Sequence, residues 1–314
     1  MSEVQLMMGA PLVSIVIPCY NHEEFIQTCL DSILNQEYPN IELIVIDDGS
    51  IDGSVEKISE YIPKCKKRFS KFEFRSRPNK GLCATLNEGI RMCSGEFYCA
   101  IASDDELLPK KLSVQVPYLM EHPNCVAVFG GANVVNDRNQ ILRQRVSKKG
   151  IYNFEDLILV KYSPITPSQL IRLDALRSAG PYPEHIYIED WYMWLKLSKG
   201  GYELHDTGDI LVNYRKHGTN MSNNGKKMHD ARMQILQEYQ HNPIYPKAVA
   251  SAMLSAAIDK QPISKLDSLR QLRIASMLDS SVLLDKRFIR YLIKMFIPSK
   301  LLNRRLGRLV LETE

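Results

Sequence analysis

Several signatures that would assign this sequence quickly are missing from it. Its seven cysteines run from Cys19 to Cys125 without one CxxC pair, so neither a disulfide framework nor a zinc site is indicated, and a reducing compartment fits best. No stretch reaches the roughly 18 to 20 uncharged apolar residues that span a bilayer, and Met1 to Ala10 lacks a basic region followed by a long apolar run. The expectation is a cytoplasmic chain, neither exported nor integral. Charge of one sign is also scarce: 40 Lys and Arg against 36 Asp and Glu leave only +4 over 314 residues, so no nucleic-acid partner is expected. No GxGxxG follows the first apolar run, where Pro18-Cys19-Tyr20-Asn21 stands, which argues against a dinucleotide-dependent dehydrogenase. The absence of GxxxxGK[ST] excludes a P-loop kinase, and the missing Gly-rich loop disfavours a nucleotidyltransferase. What remains is 45% hydrophobic and 24% charged, an ordinary globular make-up rather than a disordered, collagenous or coiled-coil one. Its length suggests one large domain plus an appendage.

Over the first hundred residues short β-branched runs alternate with helical patterns, the mark of βαβ units around a parallel sheet. Val13 to Ile17, Ile41 to Ile46, Phe72 to Arg75 and Phe97 to Ile101 read as strands. Glu23 to Leu34, Val55 to Tyr61 and Leu82 to Met92 read as helices, the first with Asn21 as N-cap. Further along, Val126 to Phe129 reads as a strand ending at Gly130-Gly131, and Phe154 to Val160, Ala175 to Ser178 and Trp191 to Leu197 as helices. A strand over Ile210 to Tyr214 and a helix over Lys226 to Tyr239 follow. From His241 onward the pattern is helical, and the polar stretch Asn223 to Gly225 divides an α/β domain, 1–224, from a helical region, 225–314.

Four polar clusters stand at or near strand ends: Pro18-Cys19-Tyr20-Asn21, Asp47-Asp48-Gly49-Ser50, Ser103-Asp104-Asp105 and Glu189-Asp190. In an open parallel sheet the loops beyond the carboxyl ends converge on one crevice, where ligands bind. Adjacent carboxylates repel, and they persist beside an apolar sheet where a divalent cation or ligand donors compensate them. The plain alternatives are a turn at Asp-Asp-Gly-Ser and, at Glu189-Asp190, the usual preference of acids for a helix start.

The order and spacing of these clusters, with Asn79-Lys80-Gly81-Leu82 and Glu189-Asp190-Trp191, resemble family 2 glycosyltransferases over about residues 11–222. The resemblance implies the GT-A fold, an α/β architecture with a mixed, mostly parallel central sheet flanked by helices, here followed by a helical C-terminal extension. It implies inverting transfer of a sugar from a nucleotide diphosphate to an acceptor hydroxyl with a divalent cation, Mn2+ or Mg2+. Pro18, Tyr20 and Asn21 then fall to the donor nucleotide. Asp48 could accept the N3–H of uracil or thymine, which cytosine lacks, so uridine or thymidine nucleotides are favoured over cytidine, with a UDP-sugar as the expected donor; Asp47 could equally fix the following turn. Asp104 suits the ribose and Asp105 the metal. Lys80 is a phosphate or loop contact, or simply a surface lysine. Arg215 suits an anionic leaving group, and His217 is either a diphosphate or metal contact or a solvated loop residue. Family members place the general base at the second acid of the Glu-Asp pair, here Asp190.

Many relatives carry an acid two positions before the Asp-Asp pair, where this chain has Ala102. That departure keeps open a sugar-nucleotide-binding scaffold that no longer turns over. The Asn79 to Glu88 stretch resembles bacterial enzymes that add galactose or glucose to lipid-linked O-antigen or capsule intermediates. From Lys286 to Glu314 basic residues exceed acidic ones by six, and Phe288, Tyr291, Leu292, Met295 and Phe296 share one helix stripe. Such a helix either packs on its own domain or lies on an anionic membrane surface, which would place the enzyme peripherally on the inner face of the cytoplasmic membrane.

Overall fold

The computed structural model describes residues 9–218 and 220–298. These residues form two compact units. The first takes in residues up to 153 with 164–185 and 193–215, and the second takes in 154–163, 186–192 and the residues from 216 onward. The four basic residues Lys300, Arg304, Arg305 and Arg308 of the expected tail, with Glu312 and Glu314, lie outside the described residues.

The first unit is built on β1 (Val13–Cys19), β2 (Ile41–Asp47), β3 (Lys71–Ser76) and β4 (Phe97–Ala100), joined by helices α1 (Ile26–Leu34), α2 (Ser54–Arg68) and α3 (Leu82–Met92). Val13, Ile15, Val16 and Ile17 are fully buried, as is every residue of β2. A strand apolar on both faces must be covered on both, which is why these runs pair in parallel with helical crossovers. The sheet continues through β5 (Glu106–Leu107), β6 (Cys125–Val135), β7 (Ile141–Arg145), β8 (Gly150–Tyr152), β9 (Leu170–Arg172) and β10 (Glu203–Arg215). The main order is β3-β2-β1-β4-β9-β6-β10-β5, with β7 beside β6 and β8 beside β10. Pairing is parallel from β3 to β4 and between β6 and β10, and antiparallel elsewhere, the mixed sheet that the resemblance implies. Helices α4 (Lys111–Glu121) and α6 (Leu173–Ala179) also belong to this unit, while α5 (Phe154–Ile158) lies in the second.

Three local expectations change. The first helix starts at Ile26 with Phe25 as N-cap and no side-chain cap. Asn21 instead takes a left-handed backbone, φ 52°, and its Oδ1 accepts the Ile51 N–H. Helix α2 runs through Pro63 to Arg68 because the Arg68 guanidinium ties its last turn to the carbonyls of Leu34, Gln36, Tyr38 and Pro39. Strand β6 passes straight through Gly130-Gly131. There glycine marks a close approach rather than a stop, since a Cβ on Gly130 would meet Asp209 O and Leu211 Cδ1 at 2.6 Å.

All seven cysteines are buried free thiols. Burial pushes Cys19 and Cys65 up to about 11 and Cys93 and Cys125 up to about 12.

In the second unit, α8 (Gly225–Gln237), α9 (Tyr245–Lys260), α10 (Lys265–Leu278) and α11 (Lys286–Met295) follow in order. Helix α9 buries the alanines Ala248, Ala250, Ala252, Ala256 and Ala257, small side chains that let a neighbouring helix come close. Ala250 and Leu254 of α9 meet Ala275 of α10 in a small apolar core. Gln261 donates to Tyr291 O at 2.8 Å and Ser268 to Tyr291 Oη at 3.0 Å, which anchors α11. The stripe expected on α11 divides: Tyr291 is fully buried and Phe288 half-buried, whereas Leu292 and Phe296 are 43% and 89% exposed. No helix among the described residues is long and apolar enough to cross a membrane.

Candidate active site

The carboxyl ends of β1 and β2 are stitched together. Cys19 O accepts the Asp48 N–H at 2.8 Å, Ser50 Oγ the Asn21 N–H at 2.9 Å and Ser54 Oγ the His22 N–H at 3.0 Å. This leaves Tyr20 47% exposed at the loop tip. Asp47 is fully buried and accepts from Gly49 N, Ser50 N and Ser76 Oγ, so it fixes the turn. Gly49, at φ 78°, lets the next loop approach, because a Cβ there would meet Asn79 N at 2.7 Å.

Asp48 closes that loop. Its Oδ1 accepts the Lys80 N–H at 2.8 Å and the Arg77 guanidinium, and its Oδ2 accepts the Gly81 N–H at 2.9 Å. Arg77 is held in turn by Glu88 at 2.9 Å and Thr85 at 2.8 Å. A carboxylate offers about four acceptor positions, so a single one, on Oδ2, remains beyond these bonds. Lys80 meets Asp48 through its main chain while its side chain is exposed.

Past β4 the chain turns with Asp105 N–H on Ala102 O at 3.1 Å, and Asp104 and Asp105 are both buried. Burial first, and the Asp104 carboxylate second, push the Asp105 carboxyl well above the usual range. Arg215, at the end of β10, holds this turn: its N–H donates to Asp105 Oδ1, and its guanidinium donates to Asp104 O, Asn136 O and Glu106 Oε1 at 2.7 to 2.8 Å. The guanidinium also lies 5.0 Å from the Phe25 ring centre. This corrects the expectation that Arg215 meets the leaving group, because its donors are directed into the protein and it is 1% exposed.

A second correction concerns the metal. Asp104, not Asp105, comes together with another ligating side chain: the ligand atoms of Asp104 and His22 lie within 4.8 Å of each other, while Asp105 is turned onto the Arg215 main chain. His22 was missed in the sequence, although it directly follows the Pro18-Cys19-Tyr20-Asn21 cluster; its Nδ1 lies 2.7 Å from Ser103 Oγ. One carboxylate and one imidazole fit a divalent cation, the carboxylate suiting Mg2+ or Mn2+ and the imidazole adding preference for a transition metal.

Glu189 and Asp190 belong to the second unit and open helix α7 (Glu189–Lys199) rather than precede it. Asp190 Oδ1 accepts the Trp191 N–H at 2.5 Å. Burial, then the Asp190 carboxylate, push Glu189 up to about 8. The Trp191 indole fixes this end by donating to Leu157 O at 3.2 Å. His217, also in the second unit, is buried, with its N–H on Asn220 Oδ1 at 2.6 Å and its carbonyl on Asn223 Nδ2 at 3.0 Å.

Residues 14–173 match the model of glycosyl transferase family 2. The chain is 27% identical over 234 residues to the Escherichia coli UDP-Glc:alpha-D-GlcNAc-diphosphoundecaprenol beta-1,3-glucosyltransferase WfgD, covering 74% of this chain and 88% of that one. It is 26% identical to the amylovoran biosynthesis glycosyltransferase AmsE of Erwinia amylovora, over 68% of this chain and 79% of that one. Among solved structures, S. aureus TarS with UDP-GlcNAc aligns at TM-score 0.58 and 17% identity, over 86% of this chain and 91% of TarS. The Pyrobaculum calidifontis mannosyltransferase PcManGT with GDP-Man and Mn2+ aligns at 0.58 and 18%, over 92% of this chain and 86% of that one. With the GT-A architecture in place and the family model spanning just over half of the sequence, the chain belongs to glycosyl transferase family 2.

Proposed function

We propose that this glycosyltransferase is a cation-dependent, inverting hexosyltransferase that moves glucose or galactose from a UDP-sugar to a hydroxyl of a lipid-linked saccharide in surface-polysaccharide assembly. The observation that carries the reading is the set of loops held at the carboxyl ends of β1, β2 and β4, with the Asp48 carboxylate and the Asp104–His22 pair inside it. The activity named for WfgD, from UDP-Glc to a diphosphoundecaprenol-linked sugar, supports the donor and acceptor classes, as does the amylovoran relative AmsE for polysaccharide assembly.

In this proposal Asp48 positions the uracil through the last acceptor position on Oδ2, and the main chain at Pro18 to Asn21 flanks the nucleotide. Asp104 and His22 would hold the cation, with Mn2+ preferred over Mg2+ because of the imidazole. When bound, the cation neutralises the diphosphate. Arg215 keeps the Asp104–Asp105 turn in register. Asp190 is assigned as base by its place in the sequence: as the acceptor oxygen attacks the anomeric carbon, its proton passes to the Asp190 carboxylate and the bond to the diphosphate oxygen breaks. Glu189, pushed up to about 8, holds its proton near neutral pH. A single displacement of this kind turns an α-linked donor into a β-linked product. Peripheral placement on the inner membrane face through α11 completes the proposal.

Asp190→Asn should lower turnover about 10²- to 10⁴-fold with donor affinity little changed. Near wild-type turnover at saturating acceptor, or retention in the anomeric coupling constant of the product, overturns the assignment. Release of UDP from UDP-sugar with manganese distinguishes the enzyme from a non-catalytic binder of the same ligand.

A further inference from the structure

The second unit contains a cavity of about 300 Å3 between α9 and α11, walled by Ser255 and Asp259 on one side and by Arg287, Arg290, Tyr291 and Lys294 on the other. That is the small end of the range for ligand sites. Its cations are of two kinds. Arg287 is fixed and balanced, bonded to Asp285 at 2.6 Å, to Ser251 at 2.8 Å and to Ser255 at 3.2 Å. Arg290 and Lys294, one helical turn apart, are exposed, and neither enters a hydrogen bond or ion pair among the described residues. Asp259 is the one carboxylate in the wall, and Arg232, His229 and Lys294 all act on it electrostatically. Among the described residues the cavity wall therefore carries more positive than negative charge.

The same helix sets an apolar surface beside those cations. Ile289, Leu292, Ile293 and Phe296 are 56%, 43%, 61% and 89% exposed. At about 100° per residue they occupy the arc opposite buried Tyr291, with Arg290 beyond one end of that arc and Lys294 further round towards Tyr291. Leu266 is also exposed, next to Lys265, whose ammonium caps the Met295 and Ile297 carbonyls at the end of α11. An apolar arc with exposed cations on one flank matches the layering of an anionic bilayer, where acyl chains lie just below phosphates.

We propose that this cavity is a lipid-phosphate site: Arg290 and Lys294 grip the phosphate of an anionic membrane lipid while Ile289, Leu292, Ile293 and Phe296 enter the acyl layer. The proposal rests on the peripheral placement given above and adds to it a defined headgroup pocket in place of diffuse attraction. It is tested by co-sedimentation of the full chain with vesicles of phosphatidylcholine alone and with phosphatidylglycerol added, alongside calorimetric titration with inorganic phosphate and turnover on a soluble acceptor. The expected result is binding to the phosphatidylglycerol vesicles that falls roughly 30-fold in the Arg290→Ala, Lys294→Ala double variant, with turnover unchanged. Ile258→Trp, which fills the cavity and changes no charge, should weaken binding at least about tenfold; Ser255→Leu serves if that variant does not fold. Wild-type vesicle binding by the cavity-filled variant overturns the pocket while leaving peripheral attachment intact. Inorganic phosphate bound without any vesicle binding overturns the lipid as its source. Failure of the wild type to bind either vesicle overturns both the pocket and the peripheral placement, and leaves the catalytic proposal to its own assays.

Discussion

Two pairs of cations, one in each unit, do opposite work. In the first, Arg77 and Arg215 direct their donors into carboxylates and carbonyls of their own fold, the former to Asp48, Glu88 and Thr85 and the latter to Glu106, Asp104 and Asn136. In the second, Arg290 and Lys294 face outward beside exposed apolar side chains. An internal guanidinium brings loops from distant parts of the chain into a fixed arrangement, as preorganised catalysis requires. An uncompensated surface cation adds little to folding and is useful only to something that brings its own negative charge.

Arg215→Met should have the largest effect on folding. It leaves the Glu106 carboxylate and two carbonyls without their buried donor, at a cost of about 3 to 5 kcal/mol, read from the midpoint of denaturant unfolding. A loss below about 1 kcal/mol would remove the contrast drawn here. Arg77→Leu comes next, at about 1 to 3 kcal/mol, because main-chain donors at Lys80 and Gly81 still hold Asp48; UDP affinity should weaken with it.

A pH-dependent effect belongs to Glu189. Its carboxyl sits at about 8 in the folded chain against an ordinary 4.5, so the folded state retains a proton that the unfolded state releases. Its contribution is fully present below about 4.5 and is lost as pH rises through about 8. In Glu189→Gln the melting temperature should drop a few degrees less than in the wild type between pH 5 and pH 8.5, measured by differential scanning calorimetry. Equal slopes would show that the proton is not held there. Smallest of all, replacing Arg290 and Lys294 together by alanine should change unfolding free energy by no more than about 0.5 kcal/mol, and a larger loss would mean that these cations serve the fold after all.

Strands β1, β2 and β4 were readable because they are buried apolar runs, and β3 because Phe72 and Phe74 alternate with polar residues. The antiparallel half was not: β5 has two residues and β8 and β9 three each, lengths at which pairing is decided by the partner rather than by the strand's own pattern. The carboxylate clusters were legible as residue types at strand ends, but their division of labour was not. That Arg215 serves the Asp104–Glu106 turn depends on bonds spanning 79 to 111 residues, and no local spacing encodes them. His22 escaped notice for the same reason, since its link to Ser103 spans 81 residues. On α11 the stripe was visible, but only its neighbours decide which side chains turn inward.

The buried thiols make the first unit its own reporter. All seven lie between residues 19 and 125, so a maleimide or an aromatic disulfide added to the native protein has nothing to modify until that unit opens. The labelling rate then measures the population of open molecules, and the helices that follow contribute no signal. A nucleotide sugar that binds the closed form slows labelling in proportion to its occupancy. Candidate donors can therefore be ranked by how long they delay thiol modification, before any acceptor has been identified.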